Sequence, residues 1–436
     1  MFELCPILMS PRRTMFQFKF GRNRLSIVLF VFLWSSAANA QVEPLLQDLP
    51  SGLVVDSSTI VPAAQLRAIG QKLGGTIQSL SNSQVRVHGA PIQVNVITAI
   101  DEQQAAAIHE SLKKIKKFPF VVAQRNLVVE YVGQNVDEAL ASKTSWELGL
   151  IEKPVSVRYK IRAELATVSQ ADYMSCNVLF NHFLVLKRGA NPQVAQELRA
   201  LAKKFTFGKT LVLRNPKLDG ETCEHQFSST PVETKSTSAT IAYTFGELVA
   251  QHDVPMVTAT MEIDVNDNGL RIGTLEPITL QPNRFWPSND AQIVALAKQI
   301  TAGKTTNEAK AQAILEWLTP GKNVKYSGQT GSRWGTQKVL AQKFGHCWDF
   351  SDCFVTLARA AGVPSRQVAG WLYGSSGHVW AEYYVDGRGW QQVDPTGGGQ
   401  FACGIYHIPY FTSEDGEMPI VYGAMPQIQI LDTKSK

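Results

Sequence analysis

The pattern of apolar and polar positions changes twice along this 436-residue chain. In residues 48–135, strand-type alternation and helix-type spacing follow one another, and in residues 146–285 strand patterns dominate. Residues 288–436 open with two helical patterns and continue with a mixture of both types. We therefore predict a multidomain α+β protein with one folded domain in each of these ranges.

The first segment, residues 48–135, alternates between the two element types. Polar and apolar residues alternate over 93–96, as in a half-buried strand, whereas residues 63–73 and 101–117 have helical spacing. Gly74-Gly75 is a helix stop signal after the first of these helices. The predicted order is strand-helix-strand-strand-helix-strand, which is typical of a small ferredoxin-like α/β domain.

The second segment, residues 146–285, is predicted to be mainly β. The predicted strands are 155–166, 176–186, 210–214, 238–243 and 257–265, and one helix is predicted over 191–204. The segment has neither histidines at metal-ligand spacing nor a glycine-rich phosphate loop. We therefore expect neither a metal nor another cofactor.

The third segment begins after a predicted connector at residues 282–287. Capping residues begin two helices, over 288–300 and 305–318, and Pro320-Gly321 ends the second. A short strand is predicted at 323–326. The helices and all that follows form the predicted C-terminal domain.

A further helix in this domain has a cysteine at its start. The apolar positions that share one face of this helix are Phe350, Phe354, Leu357 and Ala361. Gly362 and Pro364 end the helix, so Cys347 lies at or just before its first turn. Backbone amides and the helix dipole there lower the pKa of a thiol and raise its reactivity. Cys353 faces the core and fits a buried, inert cysteine instead.

A predicted β-hairpin supplies a histidine and an aspartate. The turn Asp386-Gly387 is a strong hairpin signal, and strands paired about it bring His378 opposite Asp394 to within a residue or so. A carboxylate beside an imidazole fixes its tautomer and stabilises its charged form. His346, beside the cysteine, is the alternative base. We favour His378, because His346 has no evident carboxylate across a strand.

The charge of the chain is concentrated at its N-terminus. The formal net charge is +5, and residues 1–40 contain five lysines and arginines against one acidic residue. The remainder is close to neutral, so its charge gives no support for a nucleic-acid partner held by phosphate contacts.

Residues 1–40 resemble a secretory leader. Basic residues precede an apolar run at 25–34, and the small-x-small pattern Ala38-Asn39-Ala40 follows. An uncleaved membrane anchor is the alternative, but the run is too short to span a bilayer. We therefore expect cleavage after Ala40, no stable membrane span afterwards, and a periplasmic or secreted product.

Export permits disulfides, and an odd number of cysteines remains after the leader. The simplest arrangement pairs Cys176 with Cys223 and Cys353 with Cys403, which leaves Cys347 free. Sequence alone does not establish this connectivity, and other pairings stay open.

Four ordered motifs resemble the transglutaminase-like superfamily, whose catalytic core has a papain-like arrangement. They are GHCW at 345–348, LARAAGVPSR at 357–366, HVWAE at 378–382 and GWQQVDPT at 389–396. The first corresponds to the glycine-glutamine-cysteine-tryptophan motif of animal transglutaminases. The resemblance covers residues 305–410, about a quarter of the chain.

The resemblance implies that Cys347 is the nucleophile, His378 the base and Asp394 the residue that orients the base. The cysteine would attack an amide of a protein or peptide and form a thioester. An amine or water would then attack this thioester. An upstream side chain, Tyr326 or Trp334, would help to bind the oxyanion. Nothing resembles a calcium loop, so no calcium dependence is expected.

Two alternatives stay open from the sequence. The enzyme could be a cysteine peptidase or amidase that only hydrolyses its substrate. It could also be an envelope binding or scaffold protein with a relic catalytic fold, although all three residue types of the predicted triad are present.

Overall fold

The computed structural model describes most of the chain after residue 52. The described ranges are 53–87, 90–114, 120–133, 136–147, 149–168, 173–187, 191–215, 217, 224–328, 331–375, 377–397, 403–418 and 420–435. The predicted leader lies outside these ranges and stays a prediction. Among the described helices, none combines the length and the apolar character needed to cross a membrane.

The N-terminal segment forms a five-stranded sheet with accompanying helices. Its elements are β1 (Leu53–Ile60), α1 (Ala63–Leu73), β2 (Ile77–Val87), β3 (Ala90–Ala99), α2 (Glu102–Lys113), β4 (Phe120–Gln124), β5 (Leu127–Val132) and α3 (Glu138–Glu147). The strand order is β1-β2-β3-β5-β4. Asp101 begins α2 by accepting a 2.8 Å hydrogen bond from the backbone N–H of Gln104.

The predicted ferredoxin-like topology is not confirmed for this sheet. A split β-α-β arrangement contains parallel strands that are joined through a helix. Here every pair of neighbouring strands is antiparallel, including β1 and β2, which flank α1. The alternation of side chains predicts where strands lie, but it does not specify which strands become neighbours.

In its described residues, the second segment is mainly β and also contains two α-helices. Its elements are β6 (Ser156–Val168), α4 (Tyr173–Lys187), α5 (Pro192–Ala202), β7 (Phe207–Gly208), β8 (Thr210–Arg214), β9 (His225–Phe227), β10 (Pro231–Ser236), β11 (Thr240–Phe245), β12 (Val249–Gln251), β13 (Val254–Asn266) and β14 (Leu270–Arg271). The long strands β6 and β13 pair antiparallel, from Val257 with Leu165 to Asn266 with Ser156.

The predicted strand at 176–186 is wrong, because these residues lie in α4. The buried residues Cys176, Leu179 and Phe183 are three and four positions apart, which is the spacing of a helix face, and they cluster with Leu198 of α5. Apolar residues continue around the rest of α4. A helix of this kind and a buried strand therefore give similar apolar runs.

The C-terminal segment combines helices with a five-stranded sheet. Its elements are α6 (Ala291–Ile300), α7 (Asn307–Leu318), β15 (Lys325–Tyr326), α8 (Thr336–Gln342), β16 (Phe344–Gly345), α9 (Cys347–Ala360), β17 (Ser365–Leu372), β18 (Gly377–Val385), β19 (Gly389–Val393), β20 (His407–Ser413), β21 (Ile420–Tyr422) and β22 (Gln427–Lys434). The sheet has the order β14-β19-β18-β17-β20. The helix α9 lies against it, with Phe350 and Phe354 in one buried cluster with Ala381 and Val393.

Strands from both sides of residues 282–287 share sheets. The strand β14 pairs with β19 of the C-terminal sheet, and β21 and β22 pair with β6. One buried cluster accordingly combines Tyr159 and Met261 with Trp371 and Phe411. Both segments therefore contribute to one continuous core.

The structure does not contain the predicted disulfide between Cys353 and Cys403, both of which are free thiols. Cys353 is buried in the cluster of α9, whereas Cys403 is buried with Val368 and Trp380. Each thiol thus fills a separate part of the core, and burial raises the pKa of both. Cys223 lies outside the described residues, so its pairing with Cys176 stays a prediction.

A buried carboxylate ties α9 to three other parts of the chain. Asp352 accepts hydrogen bonds from Trp286 Nε1 at 2.8 Å and from Gln367 Nε2 at 3.0 Å. Arg333 donates to both of its oxygens, at 2.8 and 2.9 Å. The side chains of Asp352 and Arg333 are only 1% and 3% exposed. The connector, the loop before α8 and the sheet therefore all meet at the first turns of α9.

Asp352→Asn should strongly destabilise the protein, because the substitution leaves the Arg333 guanidinium buried without its counter-ion. We expect a loss of about 3–5 kcal/mol in the free energy of unfolding, measured by urea unfolding followed by tryptophan fluorescence. Asp56→Asn is the matched control, since its ion pair with Arg86 is exposed on the surface and should contribute little. Equal effects of the two substitutions would contradict this role of Asp352.

Candidate active site

The start of α9 holds Cys347 in a fixed position. Cys347 is the first residue of the helix, and His346 precedes it with an extended backbone. The buried Asp349 accepts hydrogen bonds from the backbone N–H groups of His346, at 3.0 Å, and Trp334, at 2.8 Å. It also accepts one from Ser332 Oγ, at 2.6 Å. The cysteine therefore lies at the positive end of α9, as the sequence predicts.

The hairpin brings the predicted histidine and aspartate together, although its register differs from the prediction. Val385 pairs with Gly389, so the loop contains three residues, and Gly387 within it has a φ of +73°. This register places Trp380, rather than His378, opposite Asp394. The Asp394 side chain nevertheless reaches diagonally along the sheet, and His378 Nε2 lies 2.8 Å from Asp394 Oδ2.

The partly buried Cys347 thiol is hydrogen-bonded by His378, and each group shifts the pKa of the other. Burial acts to raise the pKa of Cys347, but hydrogen bonds from the side chains of His346 and His378, the charge of His378 and the backbone N–H of Val379 lower it to about 6. Burial acts to lower the pKa of His378, but the charge and hydrogen bond of Asp394, assisted by Cys347, raise it to about 10. A thiolate and an imidazolium therefore face each other at neutral pH.

Four hydrogen-bond contacts hold the Asp394 carboxylate. Its Oδ2 binds His378 Nε2 and, at 3.1 Å, His407 Nε2. Its Oδ1 accepts from the backbone N–H of Thr396 at 2.9 Å and from Thr396 Oγ1 at 2.6 Å. Burial acts to raise the pKa of Asp394, but His378 and His407 hold it well below its usual value. The carboxylate is thus ionised and held in one orientation.

His346, the alternative base, also hydrogen-bonds Cys347 through its side chain. Its ring lies against Tyr326, with a centroid separation of 4.5 Å. The carboxylate of Asp349 binds the backbone of His346. Of the two histidines at the thiol, His378 is therefore the one with a carboxylate on its imidazole.

The two candidate oxyanion residues differ in position. The Tyr326 hydroxyl hydrogen-bonds the side chain of Cys347 and accepts from its backbone N–H. Desolvation of the hydroxyl and the charges of Cys347 and Asp394 raise the pKa of Tyr326, so the hydroxyl stays protonated. The Trp334 ring packs instead against Phe344, at a centroid distance of 5.3 Å. The geometry therefore favours Tyr326 over Trp334.

The tryptophans of the four motifs have mainly packing roles. Trp380 and Trp390 are fully buried. Trp348 is partly buried, donates from Nε1 to Gln367 Oε1 at 3.2 Å, and packs against Arg333.

One group of described residues has the types and spacing that could hold a metal ion. The ligand atoms of His378, Asp394 and His407 all lie within 4.8 Å of one another. Both histidines, however, approach the same carboxylate oxygen at hydrogen-bond distance. Two N–H···O hydrogen bonds, one from each imidazole to Asp394 Oδ2, account for this geometry without a cation.

His407 and Thr396 are functional candidates that the sequence analysis missed. Thr396 lies within the aspartate motif, two residues after Asp394. A threonine hydroxyl at such a position commonly forms a hydrogen bond to a nearby residue of the chain. His407 is 13 residues beyond Asp394, at the start of β20, which no sequence pattern predicted. Only the pairing of β20 with β17 brings His407 to the site.

The family match lies in the C-terminal part of the chain. Residues 294–395 match the model of the transglutaminase-like superfamily. A protein-glutamine gamma-glutamyltransferase of Pseudomonas aeruginosa is 26% identical over 143 residues, which is 29% of this chain. An uncharacterized Bacillus subtilis protein, YebA, is 32% identical over 96 residues, or 18% of this chain.

These similarities cover only part of each relative. The match spans 21% of the Pseudomonas aeruginosa enzyme and 12% of the Bacillus subtilis protein. Among solved structures, the periplasmic domain of TgpA from Pseudomonas aeruginosa is 20% identical, with a TM-score of 0.28, over 43% of this chain and 70% of that chain. The family match and the sequence relatives confirm the resemblance of the four motifs: residues 294–395 of this chain form a transglutaminase-like core.

Proposed function

We propose that this protein is a cysteine-dependent acyl transferase or hydrolase that acts on amide bonds of proteins or peptides. The observation that supports this most strongly is the chain of contacts from Cys347 to His378 and from His378 Nε2 to Asp394 Oδ2. This order, nucleophile, base and orienting carboxylate, is the one that nucleophilic catalysis requires.

The proposed reaction begins with attack of the Cys347 thiolate on the amide carbonyl carbon. A C–S bond forms, and the carbonyl oxygen takes the negative charge of a tetrahedral intermediate. The C–N bond then breaks, and His378 gives its proton to the departing nitrogen. Because Nε2 of His378 is occupied by Asp394, Nδ1 is the nitrogen available for this transfer. The product is a thioester on Cys347 and a free amine.

We assign the oxyanion to the backbone N–H of Cys347 and the hydroxyl of Tyr326. These two groups already contact each other beside the thiol, so an oxygen bound between them could accept from both. Tyr326 would then rotate its hydroxyl proton from the sulfur to the oxyanion as negative charge leaves the sulfur.

The thioester has two possible fates, because either an amine or water can attack its carbonyl carbon. Attack by an amine forms an isopeptide bond, and attack by water releases a carboxylate. The Pseudomonas aeruginosa relative is a protein-glutamine gamma-glutamyltransferase, which favours transfer to an amine. Hydrolysis is the competing reaction of the same thioester intermediate.

The proposed place of action is the periplasm or the cell exterior. This proposal depends on the leader pattern of residues 1–40 and the small-x-small site that ends at Ala40. N-terminal sequencing of the exported protein should then begin at Gln41.

Cys347→Ala and His378→Gln should each reduce kcat/KM by at least about 10³-fold, because one removes the nucleophile and the other the proton donor. The assay incubates a casein-like protein with a labelled primary amine and measures both amine incorporation and new N-termini. Incorporation supports acyl transfer, whereas new N-termini without incorporation support hydrolysis.

His346→Gln is the matched control for this pair. His346 touches the same sulfur as His378, and glutamine occupies the corresponding position in animal transglutaminases. We expect less than about a tenfold reduction. Full activity of Cys347→Ala would refute the proposed function and favour a non-catalytic role, and a greater loss in His346→Gln than in His378→Gln would reassign the base.

The Cys347 thiolate should persist down to about pH 6 and then disappear as the sulfur gains a proton. The ultraviolet absorbance of the thiolate, compared with that of Cys347→Ala, measures this transition without a substrate. In Asp394→Asn the charge that raises the pKa of His378 is lost. The thiolate transition should therefore move to higher pH by about one to three units; an unchanged transition would contradict the proposed ion pair.

A further inference from the structure

His407 approaches the same carboxylate oxygen as His378 but from another strand. His407 begins β20, and its backbone is fixed by pairing with Leu372 of β17 and by a 3.0 Å hydrogen bond to the carbonyl of Gly404. Its ring packs edge-on against Trp380, at a centroid distance of 5.2 Å. Neither the backbone nor the ring of His407 can therefore move easily away from Asp394.

The hydrogen bonds of His407 define its protonation state. Since Asp394 is an ionised carboxylate, it can only accept, so His407 Nε2 must carry a proton. His407 Nδ1 is buried and has no hydrogen-bond partner. A proton there would be a buried donor without an acceptor, at considerable energetic cost. The arrangement fits a neutral imidazole protonated at Nε2.

The charged groups around His407 agree with this assignment. Burial lowers its pKa further than the hydrogen bond and charge of Asp394 raise it, and the positive charges of His378 and Lys143 also act to lower it. His407 therefore stays neutral beside the His378 imidazolium, whose ring centroid is 6.0 Å away.

We propose that His407 is a positioning residue of the site, whose Nε2–H fixes the Asp394 carboxylate in the orientation that holds His378 against Cys347. Thr396 binds one carboxylate oxygen and the two histidines bind the other. Without His407, Oδ2 keeps only His378, which itself must remain mobile enough to transfer a proton. The carboxylate could then rotate about its Cβ–Cγ bond, and its hold on the imidazolium would weaken.

This inference rests on the proposed function, because it assigns His407 a role in orienting the proposed base. It adds a fourth residue to the chain of contacts, and it predicts effects on His378 that can be measured without any substrate. Failure of the proposed function and failure of this inference are therefore distinguishable.

Three substitutions separate the hydrogen bond from the bulk of the side chain. His407→Gln places an amide nitrogen near the position of Nε2 and can still donate to Asp394 Oδ2. His407→Asn places its amide nitrogen near the position of Nδ1, too short to reach. His407→Phe keeps an aromatic ring and removes every donor. The Gln and Asn variants are matched in charge and chemical type, so their comparison still decides the matter if the Phe variant does not fold.

Nitrogen NMR of histidine side chains provides the first measurement. In the wild-type protein, His407 should show the neutral Nε2–H tautomer at pH 7. The pKa of His378 should fall by about half a unit to one unit in His407→Asn and His407→Phe, because a less firmly held carboxylate stabilises the imidazolium less. It should stay near the wild-type value in His407→Gln.

Kinetics of the amide reaction provide the second measurement. The Asn and Phe variants should lose about tenfold in kcat with little change in KM, as expected when a reacting group is misplaced, and the Gln variant should recover most of that loss. An unchanged or raised His378 pKa in both donor-less variants would overturn the proposal. So would a Gln variant as impaired as the Asn variant, since that result assigns His407 only a packing role. If Cys347 proves inert, the proposed function fails, while the NMR comparison still decides the role of His407.

Discussion

The structure of the site depends on the burial of two carboxylates in the first turns of α9. Asp349 and Asp352 are 0% and 1% exposed, and an ionised carboxylate is tolerated there only when polar partners surround it. Asp349 takes its partners from the helix start and the loop before α8. Asp352 takes its partners from the connector, the same loop and β17. Satisfying these two groups fixes the helix start, and with it Cys347, relative to the sheet.

The same two carboxylates could have opposed a thiolate at the helix start, but their hydrogen bonds limit this effect. Asp352 is neutralised by Arg333, with contacts to both carboxylate oxygens. Burial raises the pKa of Asp349, against the effect of its donors. The positive charge of His378 therefore acts on Cys347 with little competition. Charge alternates along Cys347, His378 and Asp394, and in a weakly polarisable interior each neighbour stabilises the next.

The local elements of the C-terminal segment could be predicted because their signals lie close together in sequence. Thr306 caps α7 through the N–H of Ala309, and the helix that begins at Cys347 follows directly from the face formed by Phe350, Phe354 and Leu357. The hairpin could be predicted from Asp386-Gly387, although its three-residue loop places Trp380, two positions beyond His378, opposite Asp394. Short-range chemistry is therefore enough to suggest that Cys347, His378 and Asp394 meet.

Features that depend on distant pairing could not be predicted in the same way. The neighbours of β1, the pairing of β21 and β22 with β6, and the arrival of His407 beside Asp394 each depend on which strands meet in the folded chain. The helix α4 was mistaken for a strand because its apolar residues extend beyond one face. The absent Cys353–Cys403 disulfide has a similar cause, since cysteine counting cannot show that the two thiols occupy different clusters.

Distant pairing also explains why the segment upstream of residue 282 is part of the site's support. Glu382 is fully buried on β18, the strand that carries His378, and it contacts Arg366 of β17 at 2.5 Å and Arg214 of β8 at 3.1 Å. Burial acts to raise the pKa of Glu382, but these two guanidinium groups lower it to about 2. Its charge is thus balanced in part by a residue from the mainly β segment. Removing that segment would leave the buried charge of Glu382 on β18 only partly compensated. It would also remove β6, the strand with which β21 and β22 pair. The upstream β segment therefore stabilises the strand of the proposed base, whatever further part it has in recognising a substrate.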